Sequence, residues 1–71
     1  MNENDLEVLT IMADPNFSGF NIDDLEDEEL YYIVNKLYEF ELVDYIKDLA
    51  GEIVAVASTE GLRAVNLKQG Q

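Results

Sequence analysis

A chain of 71 residues with a 48% apolar fraction is one small globular domain, too apolar to be disordered. Its formal net charge is −12, from sixteen Asp and Glu against four Lys and Arg, and it contains neither cysteine nor histidine. Disulfide and thiol chemistry are thereby excluded, as are the usual general base and the commonest metal ligand.

Leu6, Leu9 and Met12/Ala13 recur every three to four residues, with Val8 beside them, and predict a first amphipathic helix. Asn2 or Asn4 would cap it, and Asp5 and Glu7 suit the positive end of its dipole. Pro15 stops it, because the residue before proline avoids the helical region. The segment "DPNFSGFN" is then a loop in which Phe17 and Phe20 tuck down over the core, and part of it is a candidate short strand. "NIDDL" reads as one helical turn capped by Asn21, with Ile22 and Leu25 inward. The main helix follows over about residues 27–40, its buried stripe formed by Leu30, Ile33, Val34, Leu37 and either Phe40 or Glu41. Asp27, Glu28 and Glu29 fall in its first turn, where each carboxylate contributes about 0.3–1 kcal/mol at best.

A hairpin comes next. "LVDYI" and "EIVAVA" are its strands, and "DLAG" is the turn, with Gly51 at positive φ. "STEGLRAVNL" opens on a capping serine, Ser58, and predicts a short C-terminal helix or helical turn with Leu62, Val65 and Leu67 on one side. "KQGQ" reads as a frayed tail. There is no repeat and no internal linker. The longest purely apolar run, residues 53–57, is far too short to span a bilayer, and the acidic "MNENDLEV" is unlike a signal peptide. A soluble cytoplasmic protein is expected.

Helix, loop, short helix, long helix, two-stranded hairpin, short helix: over about residues 4–68 this order resembles a winged-helix (winged helix-turn-helix) domain. "NKLYEFELVDYI" resembles the junction where the family's recognition helix passes into the wing, written there as Leu, a few polar residues, Gly, then Leu-Ile or Leu-Val. "ASTEGLRAV" resembles the post-wing signature, in which Leu-Thr-x-x-Gly opens the final helix. Ser58 stands where that threonine caps, and Gly61 keeps the glycine. Within the family the chain is most similar to small acidic phage and prophage proteins of unknown role. The resemblance implies an α+β fold in one domain: a three-helix core, a two-stranded β-hairpin wing, a short C-terminal helix and a tail over residues 69–71.

The chain departs from the family pattern in three places. Glu41 occupies the glycine position, so that helix end is expected to lack a left-handed cap. The hairpin tip, residues 47–52, sets Lys47 against Asp48 and Glu52, where DNA-binding wings are basic. The start of the recognition helix, Glu26-Asp27-Glu28-Glu29, would meet phosphates and base edges with four like charges.

The charge is also lopsided. Residues 1–35 hold ten acids and no Lys or Arg; residues 36–71 hold six acids and all four cations, Lys36, Lys47, Arg63 and Lys68. Nucleic-acid binding rests on neutralising phosphates, whereas an acidic surface attracts basic partners and repels DNA and anionic membranes. The plainer account is that the acids serve solubility alone. The exposed side of the main helix would present Glu28, Tyr31, Tyr32, Asn35, Tyr38 and Glu39, with Tyr31, Asn35 and Tyr38 on one stripe. Tyrosine gives large contact area at little entropic cost. One or two of these rings could simply flank the core. The sharper reading sets Tyr31 or Tyr32, with Asn35, in a protein-binding face rimmed by Asp23, Asp24, Glu26, Asp27, Glu28, Glu29 and Glu39. The acids lack the alternating ligands, turn glycine and closing Glu of a calcium loop. No Ser-His pair, Cys-His pair or phosphate loop accompanies them. Neither metal, cofactor nor enzymatic activity is expected.

Two functions compete. In the first, the acidic face docks on a basic protein surface. Its most concrete version is a DNA mimic that blocks a nucleic-acid-binding protein; in length and charge the chain resembles small acidic phage inhibitors of host nucleases, polymerases or CRISPR effectors. In the second, the chain is a dimeric DNA-binding transcription regulator, which requires Lys36, Lys47, Arg63 and Lys68 to converge on one face while the acids point away. A homodimer is compatible with either.

Overall fold

Asn2 starts the first helix, α1 (Glu3–Met12), by a reciprocal capping box: its side chain accepts from the Asp5 N–H at 2.9 Å, and the Asp5 carboxylate accepts from the Asn2 N–H at 3.4 Å. The computed structural model describes residues 2–69, and side chains through residue 67. The remainder of the expected frayed tail, Gly70 and Gln71, lies outside the described residues. Leu9 and Met12 carry α1 into the core, and the helix ends at Ala13, just before Asp14-Pro15. Phe17 and Phe20 do pack over the core, edge to face with ring centroids 4.8 Å apart.

Phe20 and Asn21 form a short strand, β1 (Phe20–Asn21), which runs into a 3-10 turn at Ile22–Asp24. The Asn21 side chain caps that turn by accepting from the Asp23 N–H at 3.0 Å. Ile22 packs against the core as expected, while Leu25 is half-buried. The main helix, α2 (Glu28–Glu39), begins one residue later than its acidic run suggested, because Asp27 is the cap: its Oδ1 accepts from the Glu29 N–H at 3.0 Å and the Leu30 N–H at 3.1 Å. Ile33, Val34 and Leu37 are buried and Leu30 packs beside them. The expected stripe stops there. Phe40 lies past the last helical residue and is 66% exposed, and Glu41 is exposed too.

The end of α2 corrects a second expectation. Glu41 adopts φ 66 and supplies a left-handed cap without glycine. The Leu42 N–H returns to the Leu37 carbonyl at 2.9 Å and the Glu41 N–H to the Tyr38 carbonyl at 3.0 Å, which together make a Schellman motif.

The hairpin follows as β2 (Val43–Lys47) and β3 (Ile53–Ala57), paired antiparallel with Tyr45 opposite Ala55. Its turn is closed by Gly51 N–H to Asp48 carbonyl at 3.0 Å, with Gly51 at φ 83 as its sequence position predicts. The sheet is not two-stranded. β1 pairs antiparallel with β3, Phe20 opposite Ala55 and Asn21 opposite Val54, so the order is β1-β3-β2.

The C-terminal element is a full helix, α3 (Thr59–Gln69), rather than a single turn. Ser58 caps it: its Oγ accepts from the Gly61 N–H at 3.0 Å and donates to the Glu41 carbonyl at 2.7 Å. Gly61 and Val65 face inward, whereas Leu62 and Leu67, expected beside Val65, are exposed. The result is an α+β fold of three helices and a three-stranded antiparallel sheet. Its core joins Leu9 and Met12 of α1, Ile33, Val34 and Leu37 of α2, Val43 and Ala55 of the sheet, and Val65 of α3. Among the described residues no helix is long and apolar enough to cross a membrane.

Candidate protein-binding face

The acids fall on successive short pieces of backbone. Asp23 and Asp24 stand on the 3-10 turn, Glu26 and Asp27 on the connection, and Glu28 and Glu29 in the first turn of α2; all six are exposed. Only Asp27 is committed to local structure, through its cap. The carboxylates of Asp23, Asp24, Glu26, Glu28 and Glu29 make no ion pair or hydrogen bond among the described residues. Asn21 ties this segment to the hairpin, its side-chain amide donating to the Glu52 carboxylate.

Further along α2, Glu28, Tyr31, Asn35 and Tyr38 follow the three-and-four spacing that keeps residues on one helix face. Tyr31 and Tyr38 are each 45% exposed. β2 adds a member that sequence reasoning missed. Tyr45 stacks on Tyr38, ring centroids 4.2 Å apart and planes 11° from parallel, and its hydroxyl donates to Asn35 Oδ1 at 3.3 Å. Burial pushes the Tyr45 phenol above its usual 10.0, and the neighbouring Tyr31, Tyr38 and Glu39 push it the same way. The strand alternation held the signal: Tyr45 lies two residues after the buried Val43, hence on the side of the sheet that faces α2. Tyr31, Asn35, Tyr38, Glu39 and Tyr45 therefore make one platform at the junction of α2 and β2.

Tyr32 belongs elsewhere. The Lys36 ammonium lies 5.4 Å from its ring centroid and pairs with Asp5 Oδ2 at 2.9 Å. Asp5 is only 3% exposed, and its Oδ1 is buried with no hydrogen-bond partner among the described residues. It is less a dipole-compensating surface acid than the counter-ion that joins α1 to α2. No local pattern announces this pair, because its members lie on different helices.

That pair also bears on the cations of the DNA-binding reading. Lys36 is held by Asp5, and Arg63 on α3 pairs with Glu60 at 3.1 Å. Lys47, at the end of β2, is exposed and without an ion pair among the described residues. The Lys68 side chain lies outside the described ones. The two sets of charges thus differ in kind: among the described residues five carboxylates around the start of α2 have no partner, whereas Lys36 and Arg63 are engaged by the chain's own acids. Compared with known proteins, the chain matches no family model, no curated protein and no solved structure.

Proposed function

We propose that this chain is a non-enzymatic winged-helix module whose acidic face binds a basic protein surface, and that it acts as a phage-type DNA mimic, blocking a nucleic-acid-binding protein. The winged-helix part is supported by the element order α1, β1, 3-10 turn, α2, β2, β3, α3 and by the sheet order β1-β3-β2. The functional part rests on one observation: six exposed carboxylates within residues 23–29 crowd the start of α2, where a DNA-reading relative would meet phosphate. On this reading the carboxylates stand in for phosphates. They supply attraction and on-rate, and the neighbouring tyrosines supply the desolvated anchor.

The test keeps the Asp27 cap and reverses its neighbours: Glu26→Lys, Glu28→Lys and Glu29→Lys together, with circular dichroism to check the fold. Affinity capture from the native host, washed at graded salt, should recover a basic nucleic-acid-binding protein on the wild-type chain. That protein should be released by high salt and by competing duplex DNA, and should be missing on the triple variant. Undiminished capture by the variant, or indifference to duplex competitor, rules the mimic out.

The second reading, a dimeric DNA-binding regulator, draws on the same element order and on the exposed Lys47 beside the hairpin turn. It requires affinity for duplex DNA in a gel shift at low salt. The engagement of Lys36 and Arg63 by Asp5 and Glu60 weighs against it.

A further inference from the structure

We propose that the Tyr31–Tyr38–Tyr45 platform is a receptor for arginine side chains of the basic partner, selecting guanidinium over ammonium. This rests on the protein-binding reading of the acidic face and names the group that face recognises.

The platform offers π-faces and carboxylates; Lys47 follows Tyr45 by two residues on β2, but among the described residues no ammonium lies over the platform's rings. Tyr45 is fixed from below, half-buried, hydrogen-bonded to Asn35 and stacked on Tyr38. Tyr38 therefore holds its ring in place while remaining 45% exposed. Tyr31 stands two turns earlier on the same stripe of α2 and is 45% exposed. Glu28 heads the stripe and Glu39 follows Tyr38 directly, so each end of the exposed aromatic surface carries an acceptor. Among the described residues the nearby cation of α2, Lys36, is turned away to Asp5 and Tyr32. Among the described residues Tyr32 has an ammonium beside its ring and the platform's rings do not.

Guanidinium suits this surface better than ammonium. It is planar and weakly hydrated, so it stacks on a tyrosine face and still donates in a fork to a carboxylate; ammonium is a compact, strongly hydrated point charge. Two other occupants stack on tyrosine equally well but carry the wrong charge. A nucleic-acid base arrives with its phosphate, and a second copy of the chain brings another −12.

The chain has four tyrosines and no tryptophan, so its intrinsic fluorescence reports on these rings. The probes are nona-arginine and nona-lysine, titrated at about 0.15 M salt with tyrosine fluorescence and ring NMR signals as readouts. Nona-arginine should bind about five-fold more tightly, and should shift the Tyr31, Tyr38 and Tyr45 ring signals more than those of Tyr32. Tyr38→Phe should keep the preference. Tyr38→Ala and, separately, Tyr31→Ala should erase it, bringing nona-arginine affinity down to that of nona-lysine. Glu26→Lys with Glu29→Lys should weaken both peptides alike. Equal affinities with unmoved ring signals overturn this inference and leave the acidic face standing. Failure of both peptides to bind overturns the two together.

Discussion

Glu41 holds φ 66, a conformation that costs an L side chain about 1–2 kcal/mol and glycine almost nothing. It is kept there by the Schellman bonds at the end of α2 and by its own carbonyl, which accepts the Ser58 hydroxyl. Glu41→Gly removes the strain and keeps the bonds, though it also loosens the unfolded chain. The variant should be more stable by about 0.5–1 kcal/mol, seen as a higher urea midpoint at unchanged slope. A lower midpoint would mean that the glutamate side chain does structural work the backbone does not reveal. Gly61 is the opposite case. A Cβ built there would lie 2.1 Å from the Leu42 carbonyl oxygen and 3.2 Å from Leu9 Cδ1, so α3 reaches its seat only because the side chain is missing. That carbonyl already accepts the Ser58 N–H at 3.0 Å, and backing α3 away would break the bond that starts the helix. Gly61→Ala should cost about 3 kcal/mol or more, judged from chemical denaturation. Stability near that of the wild type would show that α3 can seat elsewhere.

α2 could be read from its own spacing, since Ile33, Val34 and Leu37 repeat at the helical period and are the residues buried. The hairpin was legible in the same way, from β-branched runs on either side of Gly51. β1 was hardly so: two residues cannot show an alternation, and the strand exists only because Phe20 and Asn21 find Ala55 and Val54 across the sheet. Spacing misled at Phe40, which continues the stripe on paper but follows the last turn of α2, and at Leu62 and Leu67, which α3 turns outward while Gly61 and Val65 face the core. The acids of the candidate face were visible in composition alone. Its aromatic half was visible only as far as α2, because Tyr45 arrives from another element. Contacts between elements are also where two measurements belong. Lys36→Met strands the Asp5 carboxylate in the α1–α2 interface without its counter-ion, at a cost of about 2–3 kcal/mol given that the lysine is partly exposed. Adding Asp5→Leu should return much of that loss, and a double-mutant cycle in urea would detect it; simple additivity would argue that the pair is not coupled. At the α2–β2 junction, Tyr45 binds its proton more tightly folded than unfolded, because its phenol is raised above 10.0. Its contribution is complete below about pH 10 and is lost as pH rises through the folded value. Wild-type stability should therefore fall relative to Tyr45→Phe above about pH 10, and curves that stay parallel into that range would refute the linkage.

At the scale of the whole molecule, −12 charges occupy a body with a radius of gyration of 11.6 Å. At about 0.01 M salt the screening length is about 30 Å, so every carboxylate feels the others; at about 0.1 M it is about 10 Å, and distant repulsions fade. Against that repulsion the described residues set two ion pairs, one of them exposed on α3 and worth little. Chloride salt should therefore stabilise the fold, raising the urea midpoint between about 0.01 and 0.5 M. The same ions should weaken capture of a basic peptide by the acidic face, because the attraction that accelerates its approach is screened too. Opposite signs in one titration separate this account from its rivals. A chain whose acids served solubility alone would gain stability with salt and show no salt-sensitive affinity for nona-arginine. A chain held together by its surface ion pairs would lose stability instead. A DNA-binding regulator would gain affinity for duplex as salt is lowered, where this chain should show none.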